Sequence, residues 1–109
     1  MTEAGFERGK RAGEALLVVS GEIDIATAGA FRDQLKKLIA EANSPALVDL
    51  SGVTFMDSSG LEALADARRR AAEDGVEVVL VEPSSPVRMV LEVSGMGTLF
   101  QVHPGCSSG

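Results

Sequence analysis

The spacing of hydrophobic positions changes several times along the chain, and each change marks an element. Residues 14–20, EALLVVS, form a Leu- and Val-rich run ending at Gly21, the pattern of a strand buried on both faces. Upstream, GFERGKRAG carries the turn-prone Gly9 and Gly13, and a short edge strand around Phe6 is expected to pair with that run. From Asp24 the period lengthens. Ala28, Phe31, Leu35, Leu38 and Ala42 recur every three or four residues, with Arg32, Asp33, Lys36, Lys37 and Glu41 between them. This predicts an amphipathic helix, started by Asp24 or Thr27 and ended by Asn43-Ser44-Pro45. Residues 46–50 return to strand character, and Ser51-Gly52 is expected to turn or bend the chain.

A second helix is predicted from about Ser59 to Asp74, stopping at Gly75, with Leu61, Leu64, Ala65 and Ala72 inward. Residues 76–82, VEVVLVE, read as a strand. A third helix follows, with Ser85 as N-cap, Pro86 at its first position and Gly95 past its end. Residues 98–102 make a last short strand. Strands alternating with helices indicate an α/β fold: a mixed, mainly parallel sheet with about three packed helices. A chain of 109 residues is one domain by size, with a core over about 14–102 and a Gly- and Ser-rich tail over 103–109 that is expected to be loose.

Composition narrows the function. The net charge of −6 argues against a nucleic-acid binder, which needs a basic footprint. No apolar run approaches the ~20 residues of a membrane span, and the first residues lack an apolar signal core. The expectation is a cytoplasmic protein, without membrane or direct nucleic-acid contact. The single cysteine, Cys106, makes neither an internal disulfide nor a metal cage. No metal or cofactor is expected.

The chemistry concentrates in residues 53–64, VTFMDSSGLEAL, where an apolar run meets an acid, two serines and a glycine at the start of a helix. Helix starts leave backbone N–H groups without partners. Ser59-Gly60-Leu61-Glu62 fits the S-x-x-E capping box, with Ser59 as cap and Glu62 returning a bond; Ser58 as cap is the competing register. On the first register the Ser58 hydroxyl is less committed. A phosphate there meets free N–H groups and a favourable dipole, yet adds ~1.5–2 negative charges beside Asp57 and Glu62. The domain then stays folded while its surface changes sign.

FMDSSGL, residues 55–61, resembles the signature of STAS domains, most closely the anti-sigma factor antagonists. VSGEIDIATAGAFRDQL is similar to the family's G-E-[IL]-D segment and first helix, and SPVRMVLEVSGMGTLFQV to its closing helix, turn and strand. The match spans about residues 16–102. The resemblance implies an antagonist that binds an anti-sigma factor with serine kinase activity, so releasing a sigma factor. The kinase phosphorylates the serine after the motif aspartate, here Ser58, and a serine phosphatase reverses it. It implies a partner surface that includes Asp24, Asp57, Ser58, Ser59 and Gly60. Many relatives have Gly where this chain has Glu62. The alternative is an unphosphorylated STAS module serving a signalling scaffold or a lipid or anion transport system.

Other constellations carry less. MDSSG lacks the G-x-S-x-G of a hydrolase elbow, and the lone His103 reads as a strand-end surface residue, so no enzyme activity is expected. Asp24, Asp49 and Asp57 read as caps and turn residues near strand ends. Arg68, Arg69 and Arg70 read as a solvated helix face. Met89 and Met96 read as packing residues, and SGMG lacks the P-loop lysine.

Overall fold

The computed structural model of the chain describes residues 4–103; Cys106 and the tail from 104 onward lie outside the described residues. The elements are β1 (Gly5–Arg11), β2 (Glu14–Ile23), α1 (Ala28–Glu41), β3 (Ala46–Met56), α2 (Ser58–Glu73), β4 (Val78–Val81), α3 (Ser85–Ser94) and β5 (Gln101–His103), with a 3-10 turn at Met96–Leu99. This is the α/β order read from the periodicity. The sheet runs β1-β2-β3-β4-β5, with β1 antiparallel to β2 and the later pairs parallel.

The three helical crossovers all step the same way across the sheet, so right-handed connections place α1, α2 and α3 on one face. The core reflects this. The row Leu17, Val48, Leu80 joins Phe31, Leu35, Leu38, Leu61, Leu64, Val87 and Leu91 in one cluster. The neighbouring row Leu16, Leu47, Val79 points the other way and forms a small cluster with Val81. β2 is therefore not buried on both faces as expected: Leu17, Val19 and Ile23 are buried, while Leu16 and Val18 are half-buried. β1 is a full edge strand, tied down where Phe6 stacks on Phe31 with ring centroids 6.0 Å apart.

Four local expectations are corrected. Ser51-Gly52 does not end β3; the strand continues to Met56, and register shifts opposite Val18/Ser20 and Gly21/Glu22 absorb the bend as bulges. The buried stripe of α2 runs through Leu61, Ala63, Leu64, Ala67 and Ala71, whereas Ala65 is half-buried and Ala72 exposed. The stripe is rotated because α2 packs on α1 as well as on the sheet, and alanines permit that approach. Ser84, not Ser85, is the N-cap position of α3, and the helix closes at Gly95 in the left-handed region, φ 76°. Met89 is 65 % exposed, while Met96 packs against the core.

Candidate functional site

The last rungs of β2 and β3 pair Ile23 with Met56, and the Asp57 N–H donates to the Ile23 carbonyl at 3.2 Å. The two loops that follow, at Asp24 and at Asp57, are thereby held side by side at the C-terminal edge of the parallel strands. Open α/β sheets present their sites at this edge.

Asp57 has extended backbone geometry, φ −111° and ψ −167°, and is the N-cap of α2. Its Oδ1 accepts the Ser59 N–H at 2.8 Å, and its carbonyl accepts the Gly60 and Leu61 N–H groups at 3.1 and 3.2 Å. The expected cap of Ser59 with Glu62 is therefore wrong, as is the alternative cap at Ser58. The carboxylate stands one residue before the helix, in the conformation an N-cap requires, and carries a charge that suits the dipole. Ser58 and Ser59 are already helical, and Glu62 lies exposed beyond the first turn, out of position to return a bond to the cap.

Ser58 is exposed at the first helical position, and among the described residues its hydroxyl has no hydrogen-bond partner. Ser59 is half-buried beside it. Gly60 does not lie on the accessible surface as expected. It is buried, and a Cβ there would sit 2.7 Å from Met56 Cγ and 2.8 Å from Ile23 Cγ2. The glycine lets α2 close onto the ends of β2 and β3, which aims Ser58 outward.

Asp24 is half-buried and organises the adjacent loop. Its Oδ1 accepts the Ala26 and Thr27 N–H groups at 2.9 and 3.2 Å, and its carbonyl accepts the Ala28 N–H at 2.8 Å. The Thr27 hydroxyl donates to the Glu22 carbonyl at 2.9 Å and accepts from the Asp24 N–H at 2.9 Å. Thr27 holds the N-cap position of α1 without capping it through its side chain.

Periodicity missed two exposed apolar residues at this edge: Ile25, 82 % exposed in the Asp24 loop, and Phe55, 46 % exposed near the end of β3. Ile25 falls outside the helical stripe, which was the available signal. Asp49 is not at this edge; it lies within β3 and accepts from the Ser51 N–H and hydroxyl at 2.9 and 2.7 Å. His103 is exposed in β5, and its carbonyl accepts the Glu82 N–H at 2.8 Å.

Further along α2, Asp66 pairs with Arg32 of α1 and with Arg69. The hydrogen bond from Arg32 holds the Asp66 carboxyl below the usual range, partial desolvation opposes it, and the charges of Arg32 and Arg69 add to the lowering. Arg68 donates to the Leu99 carbonyl at 2.7 Å. The Arg32–Asp66 pair bridges α1 and α2, and the Arg68 bond bridges α2 and the 3-10 turn.

The family model described as "Mlab, STAS domain" matches residues 7–101. The chain is similar to the anti-sigma-F factor antagonist RsfA of Mycobacterium tuberculosis, 33% identical over 90 residues, covering 81% of this chain and 70% of that protein. It is similar to RsfB of the same organism, 30% identical over 90 residues, covering 83% and 73%. The crystal structure of an anti-sigma factor antagonist from Mycobacterium paratuberculosis shares the fold with a TM-score of 0.79 and 28% identity, over 97% of this chain and 90% of that one. With the FMDSSGL corner at the strand edge and the match running through β1 to β5, the chain belongs to the STAS domain family.

Proposed function

We propose that the protein is an anti-sigma factor antagonist. It binds an anti-sigma factor that is also a serine kinase, so freeing a sigma factor, and it loses that partner when Ser58 is phosphorylated. It performs no chemistry of its own: it is the kinase's substrate, and a serine phosphatase restores the binding form. The observation that carries this reading is the exposed, unbonded Ser58 hydroxyl at the first position of α2, beside the Asp24 loop. The relatives named as anti-sigma-F factor antagonists support it.

The switch follows from charge and exposure. A phosphate adds about 1.5–2 negative charges at neutral pH. Because Ser58 is exposed, the added group displaces no core atom and the fold survives. Because it stands beside Asp57 and one helical turn from Glu62, the docking surface becomes strongly anionic. A partner matched to the unmodified surface meets uncompensated charge and loses its close contact.

Incubation with the cognate kinase and ATP is expected to add one phosphate, mapped to Ser58 by mass spectrometry and absent in Ser58→Ala. Ser58→Asp is expected to keep its melting temperature and lose anti-sigma binding in calorimetry. Modification persisting in Ser58→Ala would overturn the site assignment. No modification, together with unchanged binding by Ser58→Asp, would instead favour an unmodified STAS regulatory module.

A further inference from the structure

A phosphate in the first turn of a helix ordinarily folds back onto free backbone N–H groups, stabilised by them and by the helix dipole. In α2 that place is taken at every N–H of the first turn except that of Ser58 itself. The Ser59 N–H is bonded to Asp57 Oδ1 at 2.8 Å, and the Gly60 and Leu61 N–H groups turn to the Asp57 carbonyl. The carboxylate already supplies the negative charge that the helix start favours.

We propose that Asp57 is the positioning residue of the switch: by holding the N-terminus of α2 itself, it keeps a Ser58 phosphate out of the fold and on the docking surface. This rests on Ser58 being the modified residue. With the Ser59, Gly60 and Leu61 N–H groups occupied, the only N–H left to the phosphate at the helix start is that of Ser58 itself. The charged neighbours nearest in the sequence and fold are acids: Asp57 beside it, Glu62 one turn along α2, and Asp24 in the adjoining loop. Its charge is therefore delivered outward, toward the partner. In a chain without the Asp57 carboxylate, the phosphate would become the cap. It would be drawn against the helix start, the domain would gain stability, and less of the new charge would face the partner.

The test uses full-length protein carrying phosphoserine at position 58, installed during translation so that no kinase is required. Wild type is compared with Asp57→Gly, which removes the carboxylate at a position where glycine is tolerated, and with Asp57→Asn, which keeps a capping oxygen without charge. Phosphorus NMR follows the second ionisation of the phosphate, amide NMR follows Ser59, and calorimetry follows the melting temperature.

In wild type the second ionisation is expected above its ordinary value of about 6. The Ser59 amide stays still through that titration, and phosphorylation does not raise the melting temperature. In Asp57→Gly the phosphate ionises lower, the Ser59 amide moves downfield with it, and phosphorylation raises the melting temperature. In Asp57→Asn the ionisation falls, because one like charge beside the phosphate is removed. A wild-type phosphate that ionises below its ordinary value while carrying the Ser59 amide with it would overturn the proposal. So would an Asp57→Gly protein whose three readouts match wild type. Should Asp57→Gly fail to fold, an Asp57→Asn protein with no fall in ionisation overturns it alone. Failure of any kinase to modify Ser58 would sink the functional reading and leave these measurements standing.

Discussion

Two glycines in the first turns of two helices should respond differently to alanine. Gly29 is exposed near the start of α1, and a Cβ added there meets nothing within 4 Å. Gly60 occupies the corresponding turn of α2, and a Cβ there would lie 2.7 Å from Met56 Cγ and 2.8 Å from Ile23 Cγ2. Helix propensity favours alanine over glycine by up to about 1 kcal/mol at either place. At Gly29 that gain stands, so Gly29→Ala should stabilise by a few tenths to about 1 kcal/mol. At Gly60 both neighbours must move. Ile23 is fully buried and β-branched, so its Cγ2 has no free rotamer to retreat to; Met56, 2 % exposed, gives more readily. Overpacking of this kind costs about 1–3 kcal/mol. Set against the propensity gain, Gly60→Ala should gain nothing or destabilise by up to about 2 kcal/mol, and the two variants should differ by the overpacking cost, about 1–3 kcal/mol. Urea denaturation at equal m-values measures both, and a difference of that size corresponds to several degrees in melting temperature. Stabilisation by Gly60→Ala comparable with Gly29→Ala would refute the close-approach argument.

Asp57→Ala should cost about 1 kcal/mol as a lost helix cap, whereas Ser59→Ala should stay within about 0.5 kcal/mol; denaturant midpoints in the reverse order would return the cap to Ser59. Ser58→Ala should leave the melting curve unchanged, since its hydroxyl bonds to no described residue; a measurable loss would show a structural use for it. The Asp66 carboxyl, lowered by Arg32 and Arg69, titrates below its unfolded value. Its contribution is therefore complete above the usual carboxylate range and is lost as pH falls through the lowered value. Asp66→Asn should flatten that part of the acid limb in thermal melts, and because Asp66 is about one-third exposed, added salt should shrink the effect. An acid limb identical in wild type and variant would show that the pairs do not hold in solution.

The order of elements was legible because each is a local pattern. The three-to-four spacing of Ala28, Phe31, Leu35 and Leu38 needs no distant residue to declare a helix, and Gly95 needs only its own backbone freedom to end one. Ser58 was singled out on a cap at Ser59 that does not form: among the described residues neither serine hydroxyl has a hydrogen bond, and what sets Ser58 apart is its exposure beside the half-buried Ser59. The cap itself was not legible. S-x-x-E is a pattern of side-chain types, and which residue becomes N-cap depends on where the preceding strand lets go of its neighbour. The bond from the Asp57 N–H to the Ile23 carbonyl fixes that point one residue earlier than the pattern suggests. Gly60 was misread because its reason is a contact with Ile23, thirty-seven positions away.

Sequence alone thus determined the α/β order and the net negative charge, properties of short stretches and of composition, while Ser58 entered as a candidate through the resemblance of FMDSSGL to a family signature. Tertiary structure decided which face of β2 is covered, how α2 is rotated, and which of three adjacent polar residues holds the helix while another is left free. Those outcomes depend on bonds and close packing between segments far apart in the chain, and no local spacing records them.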